Sequence, residues 1–321
     1  MNRALALTQI GMPLSLINTE PKMPKSGEVL IRHSAIGVNF IDIYHRNGLY
    51  PLPLPHVLGV EASGTIEAVG ENVHDLKPGD RVAYAGAPVG AYADIHLLPA
   101  NRALKLPDIV DESSAAAMLL KGLTAHMLLT RTFPVLRGTI ILVHAAAGGL
   151  GSILTHWAKQ MGATVIGTVS TDTKAALAVA NGADHIIVGR DADWASDIRN
   201  YLGGQLVDVA YDGIGGTSLL RTFDCVRPFG MVASIGQAGG QIAPISVDEI
   251  GPRRSLSLSR PSVMAYAADL PSYRGGAAAL FAAMEGGWRS PIGTEFPLEQ
   301  ANIALSALEI GATTGSVLLL P

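Results

Sequence analysis

Residues 144–152, HAAAGGLGS, follow the apolar run TIILV and lead into SILTHWAKQMG, a segment with helical spacing. No other feature limits the fold so strongly, because strand, glycine turn and helix come in a fixed order. Ala146, Gly148 and Gly151 keep the spacing of G-x-G-x-x-G with alanine in first place: a tight turn, a close backbone approach to a diphosphate, then close packing of helix on strand. Backbone N–H groups at the helix start, aided by the helix dipole, would hold the phosphates. In a chain with 36 glycines the competing reading is a packing turn. The strand before and the helix after favour the phosphate elbow.

From Thr139 the apolar runs TIILVH, ATVIGTV, DHIIV, QLVDVAYD and GMVASIG alternate with longer segments of helical pattern. The alternation predicts buried parallel strands joined by crossover helices, a doubly wound α/β sheet. QLVDVAYD and GMVASIG are the expected edge strands. Residues 1 to about 110 instead read as short strands with turn chemistry, including Pro-Gly-Asp at 78–80. DESSAAAMLLKGLTAHMLLTRTF then opens a helix with Asp111 or Ser113 as N-cap, and a hinge is expected near residue 123. After Gly240 the alternation stops. Leu298, Ala301, Leu305 and Leu308 recur at helical spacing and predict one buried face, but periodicity does not decide which domain this tail joins.

A length of 321 residues leaves room for two domains, and 48% hydrophobic against 16% charged residues requires a sizeable core. The net charge of -4 comes without a Lys/Arg block, so a nucleic acid is not the expected partner and a small molecule is. The single cysteine, Cys225, cannot form an internal disulfide and points to a reducing, cytoplasmic setting. Its neighbours Phe223 and Val226 give it a packing role. Thr8, Gln9, Gly11, Pro13 and Asn18 interrupt the apolar N-terminus, so neither a membrane span nor a targeting segment is expected. Nine histidines stand singly and no C-x-x-C exists, so no metal site is expected.

About 20 residues beyond the glycines, where such a fold reads the adenosine ribose, the chain has GTVSTDTK at 167–174. No acid closes the strand. Ser170 and Thr171 offer hydroxyls and Lys174 a cation, which suit a 2′-phosphate. Asp172 is read as the N-cap of the next helix.

IGVNFIDIYHRNGLYP (36–51), GVEASG (59–64), KPGDRV (77–82), LKGLTA (120–125), HAAAGGLG, YDGIGG (211–216) and SRPS (259–262) together resemble the medium-chain dehydrogenase/reductase superfamily. Within it the chain is similar, end to end, to the zinc-free NADPH:quinone oxidoreductases of the zeta-crystallin-like branch. The resemblance implies a GroES-like β-barrel domain, residues 1–123 plus 261–321, with a Rossmann domain, 124–260, inserted into it and the cofactor between them. It places Asn39, Asp42, Tyr44 and Tyr50 around the nicotinamide end, with Thr124 and Arg260 lining the cofactor cleft. Ala147, Gly148, Gly149, Leu150, Gly151, Ser170, Thr171, Lys174, Arg190, Ile235 and Gly236 complete the implied cofactor contacts.

Two departures refine this expectation. Asn39 stands where zinc-dependent relatives carry cysteine, Val60 stands where they carry histidine, and the four-cysteine lobe is missing, so catalytic zinc is not expected. Gly189 and Gly311 replace a tyrosine and an arginine of the family's 2′-phosphate grip. NADPH is the expected cofactor, with NADH use left open. Without zinc to stabilise an alkoxide, alcohol oxidation is disfavoured. A quinone is already electrophilic, and hydrogen-bond donors suffice for the charge that follows hydride arrival. Tyr50 and Asn39 are the candidate donors, and Tyr44 shapes the pocket. The alternatives are reduction of α,β-unsaturated aldehydes or ketones and, in another class, a nucleotide-binding regulatory or RNA-binding protein. A homodimer through sheet-edge pairing is implied by the same resemblance.

Overall fold

The computed structural model describes residues 2–20 and 22–321. Two compact units divide it: residues up to Leu123 together with Val263–Pro321, and Thr124–Ser262.

The first unit contains β1 (Asn2–Leu7), β2 (Ser15–Thr19), β3 (Glu28–Val38), helix α1 (Phe40–Arg46), β4 (His56–Val57), β5 (Glu61–Val69), β6 (Arg81–Ala85), β7 (Ile95–Pro99) and β8 (Leu104–Lys105). Helix α2 (Glu112–Met127) follows, and Asp111 caps it by accepting the Ser114 N–H at 2.7 Å. Strands β3, β5, β6 and β8 are neighbours in one sheet, which the tail completes. Ser316–Leu320 pairs antiparallel with β3, and Ile292–Pro297 lies beyond it. The tail therefore returns to the first unit. Leu298, Ala301 and Leu305 sit in the same core as Ile36 and Val38, with Leu308 packed at its margin. The apolar stripe at helical spacing needed that core to cover it.

The second unit alternates β9 (Ile140–Val143), α3 (Gly149–Gln160), β10 (Thr164–Val169), α4 (Asp172–Ala180), β11 (His185–Val188), α5 (Trp194–Tyr201), β12 (Val207–Asp212), α6 (Ser218–Phe223), β13 (Val226–Ser234) and β14 (Ser257–Ser259). Its strands lie in the order β11-β10-β9-β12-β13-β14, and every pairing is parallel. This is the doubly wound sheet, with the order reversing between β9 and β12. QLVDVAYD and GMVASIG, expected at the edges, form the interior strands β12 and β13. Three residues of polar sequence, Ser-Leu-Ser in β14, cover β13 and take the edge instead. Cys225 is buried among Phe223 and Val226, and burial pushes its thiol up to about 12, so it stays protonated and inert. Among the described residues no helix is long and apolar enough to cross a membrane.

Candidate functional site

The elbow joins β9 to α3 through a turn in which Ala145, rather than Ala146, takes the left-handed conformation, at φ 53°. The Ala146 N–H donates to the Thr168 carbonyl of β10, which fixes the turn against the next strand. Gly148 is the N-cap and supplies no side-chain acceptor. The first-turn amides of Gly149, Leu150 and Gly151 therefore have no helical partner and point out of the helix start. A Cβ on Gly151 would stand 2.2 Å from the Ala145 carbonyl oxygen, and one on Gly167 would stand 2.7 Å from the Ala146 Cβ. Glycine on both sides thus lets helix, turn and strand close together.

At the end of β10, Thr171 rather than Asp172 caps α4, its Oγ1 accepting the Lys174 N–H at 3.4 Å. Asp172 falls one place later, in the first turn, where a carboxylate still favours the helix dipole. The shift leaves Ser170, Thr171 and Lys174 within one turn of the strand end. Arg190 follows Gly189, whose φ of 109° is open only to glycine without strain. Near the end of β13, the Ile235 N–H donates to the Asp212 carbonyl. Arg260 donates to Ser234 Oγ at 2.8 Å and to the Gly236 carbonyl at 3.3 Å. Thr124 lies on α2.

The first-unit candidates gather around α1. Asn39 and Asp42 form a reciprocal capping box, in which Asp42 Oδ2 accepts the Asn39 N–H at 2.8 Å. Asp42 Oδ2 also accepts the Tyr92 hydroxyl at 2.9 Å, while Oδ1 is buried with no partner among the described residues. Burial drives this carboxyl up to about 7, against the lowering effect of its two hydrogen bonds. Asn39 Nδ2 donates to Glu61 Oε1 at 2.7 Å and lies 3.4 Å from the Gly37 carbonyl. Glu61 Oε1 also meets Lys121 Nζ at 3.1 Å, and Oε2 accepts the Leu120 N–H at 2.7 Å.

Glu61, Lys121 and Tyr92 form a buried hub that sequence reasoning missed; the one visible signal was an acid at the head of the strand that begins EASGTI. The hub engages the polar atoms of Asn39 and buries Asp42 completely. Both help to hold the start of α1. Tyr44 lies on the same helix and Tyr50 follows it. Their rings meet edge to face at 5.6 Å, and Tyr50 is 40% exposed.

Residues 25–108 match the family described as alcohol dehydrogenase GroES-like domain, and residues 149–273 match the one described as zinc-binding dehydrogenase. The chain is 41% identical over 332 residues to the 2-haloacrylate reductase of a Burkholderia species, covering 100% of this chain and 99% of that protein. It is 41% identical over 304 residues to the quinone oxidoreductase of Pseudomonas aeruginosa, covering 94% of each. The solved structure of Escherichia coli quinone oxidoreductase complexed with NADPH superposes with a TM-score of 0.95 at 36% identity, covering 99% of this chain and 100% of that one. Among the described residues no group of three or more His, Cys, Asp or Glu side chains is placed to hold a metal ion. Asn39 presents an amide nitrogen committed to Glu61, and Val60 is apolar.

Proposed function

The chain belongs to the medium-chain dehydrogenase/reductase superfamily, and from that premise we propose that it is an NADPH-dependent reductase of quinones, working without zinc. The elbow between β9 and α3 carries this reading, because an uncapped helix start facing a glycine turn is built to receive a diphosphate. NADPH, when bound, supplies the hydride that an electron-poor quinone accepts. The chain's own residues bind and orient. The amides of Gly149, Leu150 and Gly151 hold the diphosphate, with Ala147 and Gly148 bringing the backbone close. Ser170, Thr171, Lys174 and Arg190 take the 2′-phosphate, and Gly189 and Gly311 leave NADH use open.

Thr124, Ile235, Gly236 and Arg260 complete the cofactor contacts, and Tyr44 shapes the pocket at the nicotinamide end. Tyr50 donates a hydrogen bond to the substrate oxygen on which charge develops. The capping box of Asn39 and Asp42 keeps the segment bearing both tyrosines in place. A homodimer joined through the β14 edge belongs to the same reading, supported by the row of backbone groups that an edge strand leaves unpaired; light scattering tests it. A cytoplasmic setting fits the single buried thiol.

The deciding experiment follows NADPH consumption with a panel of quinones, α,β-unsaturated carbonyl compounds and 2-haloacrylates. Fastest turnover of quinones supports the proposal. Fastest turnover of an activated alkene favours the second reading, which rests on the Burkholderia relative. NADPH binding without turnover of any acceptor favours a regulatory role. Tyr50→Phe that turns over every quinone like the wild type removes Tyr50 from the chemistry.

A further inference from the structure

Beneath the elbow lies a buried polar chain that the reading above does not use. His144, the residue after β9, has Nδ1 2.8 Å from Thr168 Oγ1 on β10 and Nε2 3.0 Å from Thr222 Oγ1 on α6. Thr222 Oγ1 in turn lies 2.7 Å from Asp212 Oδ2 at the end of β12. The other carboxylate oxygen of Asp212 accepts the N–H groups of Ile214 at 2.8 Å and Gly215 at 2.9 Å, holding the loop that follows.

Counting protons gives the chain a direction. A carboxylate only accepts, so the Thr222 hydroxyl gives its one proton to Asp212 at 2.7 Å, in preference to the Ser218 carbonyl at 3.3 Å. His144 Nε2 must then donate to Thr222, which leaves Nδ1 to accept the Thr168 hydroxyl. One neutral tautomer satisfies the whole chain. Burial holds the imidazole below its usual range; Asp212 opposes this and Arg221 reinforces it.

The ring face is occupied as well. The Trp194 ring packs against it at 4.5 Å, and the Arg221 guanidinium lies 4.1 Å over Trp194. Arg221 donates to the Arg190 carbonyl at 2.9 Å and to the Ala192 carbonyl. One imidazole thus connects strand β10 with the segments after β9, β11 and β12. In a doubly wound sheet those carboxyl-end segments surround the dinucleotide.

We propose that His144 is a positioning residue for dinucleotide binding, its fixed tautomer tying strand β10 and the segments after β9, β11 and β12 into the register that receives the cofactor. The proposal rests on reading the elbow as an NADPH site. His144 contacts no ligand and acts through the backbone it holds.

The test measures the NADPH dissociation constant, by nucleotide fluorescence, for the full chain and three variants. His144→Phe keeps a ring against Trp194 but removes both nitrogens. Thr222→Val breaks the same chain with little change in volume. Cys225→Ala loosens the same core and removes a thiol that donates to the Arg221 carbonyl, but leaves His144, Thr168, Thr222 and Asp212 in place. His144→Phe and Thr222→Val are each expected to weaken NADPH about tenfold or more, roughly 1.4 kcal/mol per tenfold. Their kcat at saturating NADPH should stay within about twofold of wild type, the signature of lost binding rather than lost chemistry. Cys225→Ala should lower the melting temperature and leave the dissociation constant unchanged.

Wild-type affinity in His144→Phe, or an equal loss in Cys225→Ala, overturns the proposal. Should His144→Phe not fold, Thr222→Val decides by the same criterion. Failure of the wild type itself to bind NADPH would instead overturn the function on which this inference rests.

Discussion

Replacing Gly151 by alanine tests the elbow at its tightest point. The added Cβ would lie 2.2 Å from the Ala145 carbonyl oxygen, 2.8 Å from the Ala146 Cα and 2.9 Å from the Ala145 carbonyl carbon, whereas ordinary contact begins at 3.4 Å. All three neighbours are backbone atoms, so no side chain can rotate away. The start of α3 must move off the Ala145–Ala146 turn by about 1 Å, an overpacking that costs about 1–3 kcal/mol. At roughly 3 °C per kcal/mol for a unit of this size, the melting temperature should fall by about 3–9 °C. The same displacement moves the first-turn amides away from the diphosphate, so NADPH affinity should fall about tenfold or more. Differential scanning fluorimetry and nucleotide titration measure the two effects. A Gly151→Ala protein with wild-type melting and wild-type affinity would refute the close packing and the phosphate role together.

Gly275→Ala provides the opposite sign: this exposed position within helix Leu270–Glu285 has nothing within 4 Å of the new Cβ. The variant should gain about 0.5–1 kcal/mol from helix propensity, read as a higher melting temperature. Lys174→Ala should weaken NADPH while leaving NADH unchanged; equal losses would place Lys174 away from the 2′-phosphate. Asp42 should make the protein less stable as pH rises from about 4 to about 7, because burial raises its folded value from 3.8 to about 7 and the folded state keeps a proton that the unfolded chain has released. Asp42→Asn should remove that slope, so denaturant titrations across this range that show the same slope in both proteins would contradict the raised value.

The second unit was largely legible because parallel strands buried on both faces must be continuously apolar. TIILV and TVIGTV could serve as little else next to a glycine elbow. Sheet position was not legible in the same way. QLVDVAYD and GMVASIG have no intrinsic mark of being interior, and the strand that protects them, Ser257–Ser259, is too short and polar to be recognised before it pairs. Asp172 and Thr171 are both good caps, and only the backbone decides between neighbours one residue apart.

The candidate site divides along the same line. Spacing within ten residues marked the glycines of the elbow and the hydroxyls and lysine at 170–174, because adjacent positions on one turn are set by local geometry. That Asn39 gives one amide hydrogen bond to Glu61, 22 positions away, could not be read from the sequence. The chain from His144 to Thr222 spans 78 positions, and the one from Glu61 to Lys121 spans 60. Sequence alone determined that a strand, a glycine turn and a helix follow one another there, and what kind of sheet carries them. Only tertiary structure decided which polar groups face inward to one another and which remain for a ligand, because a hydrogen bond is made by atoms in contact, wherever they lie along the chain.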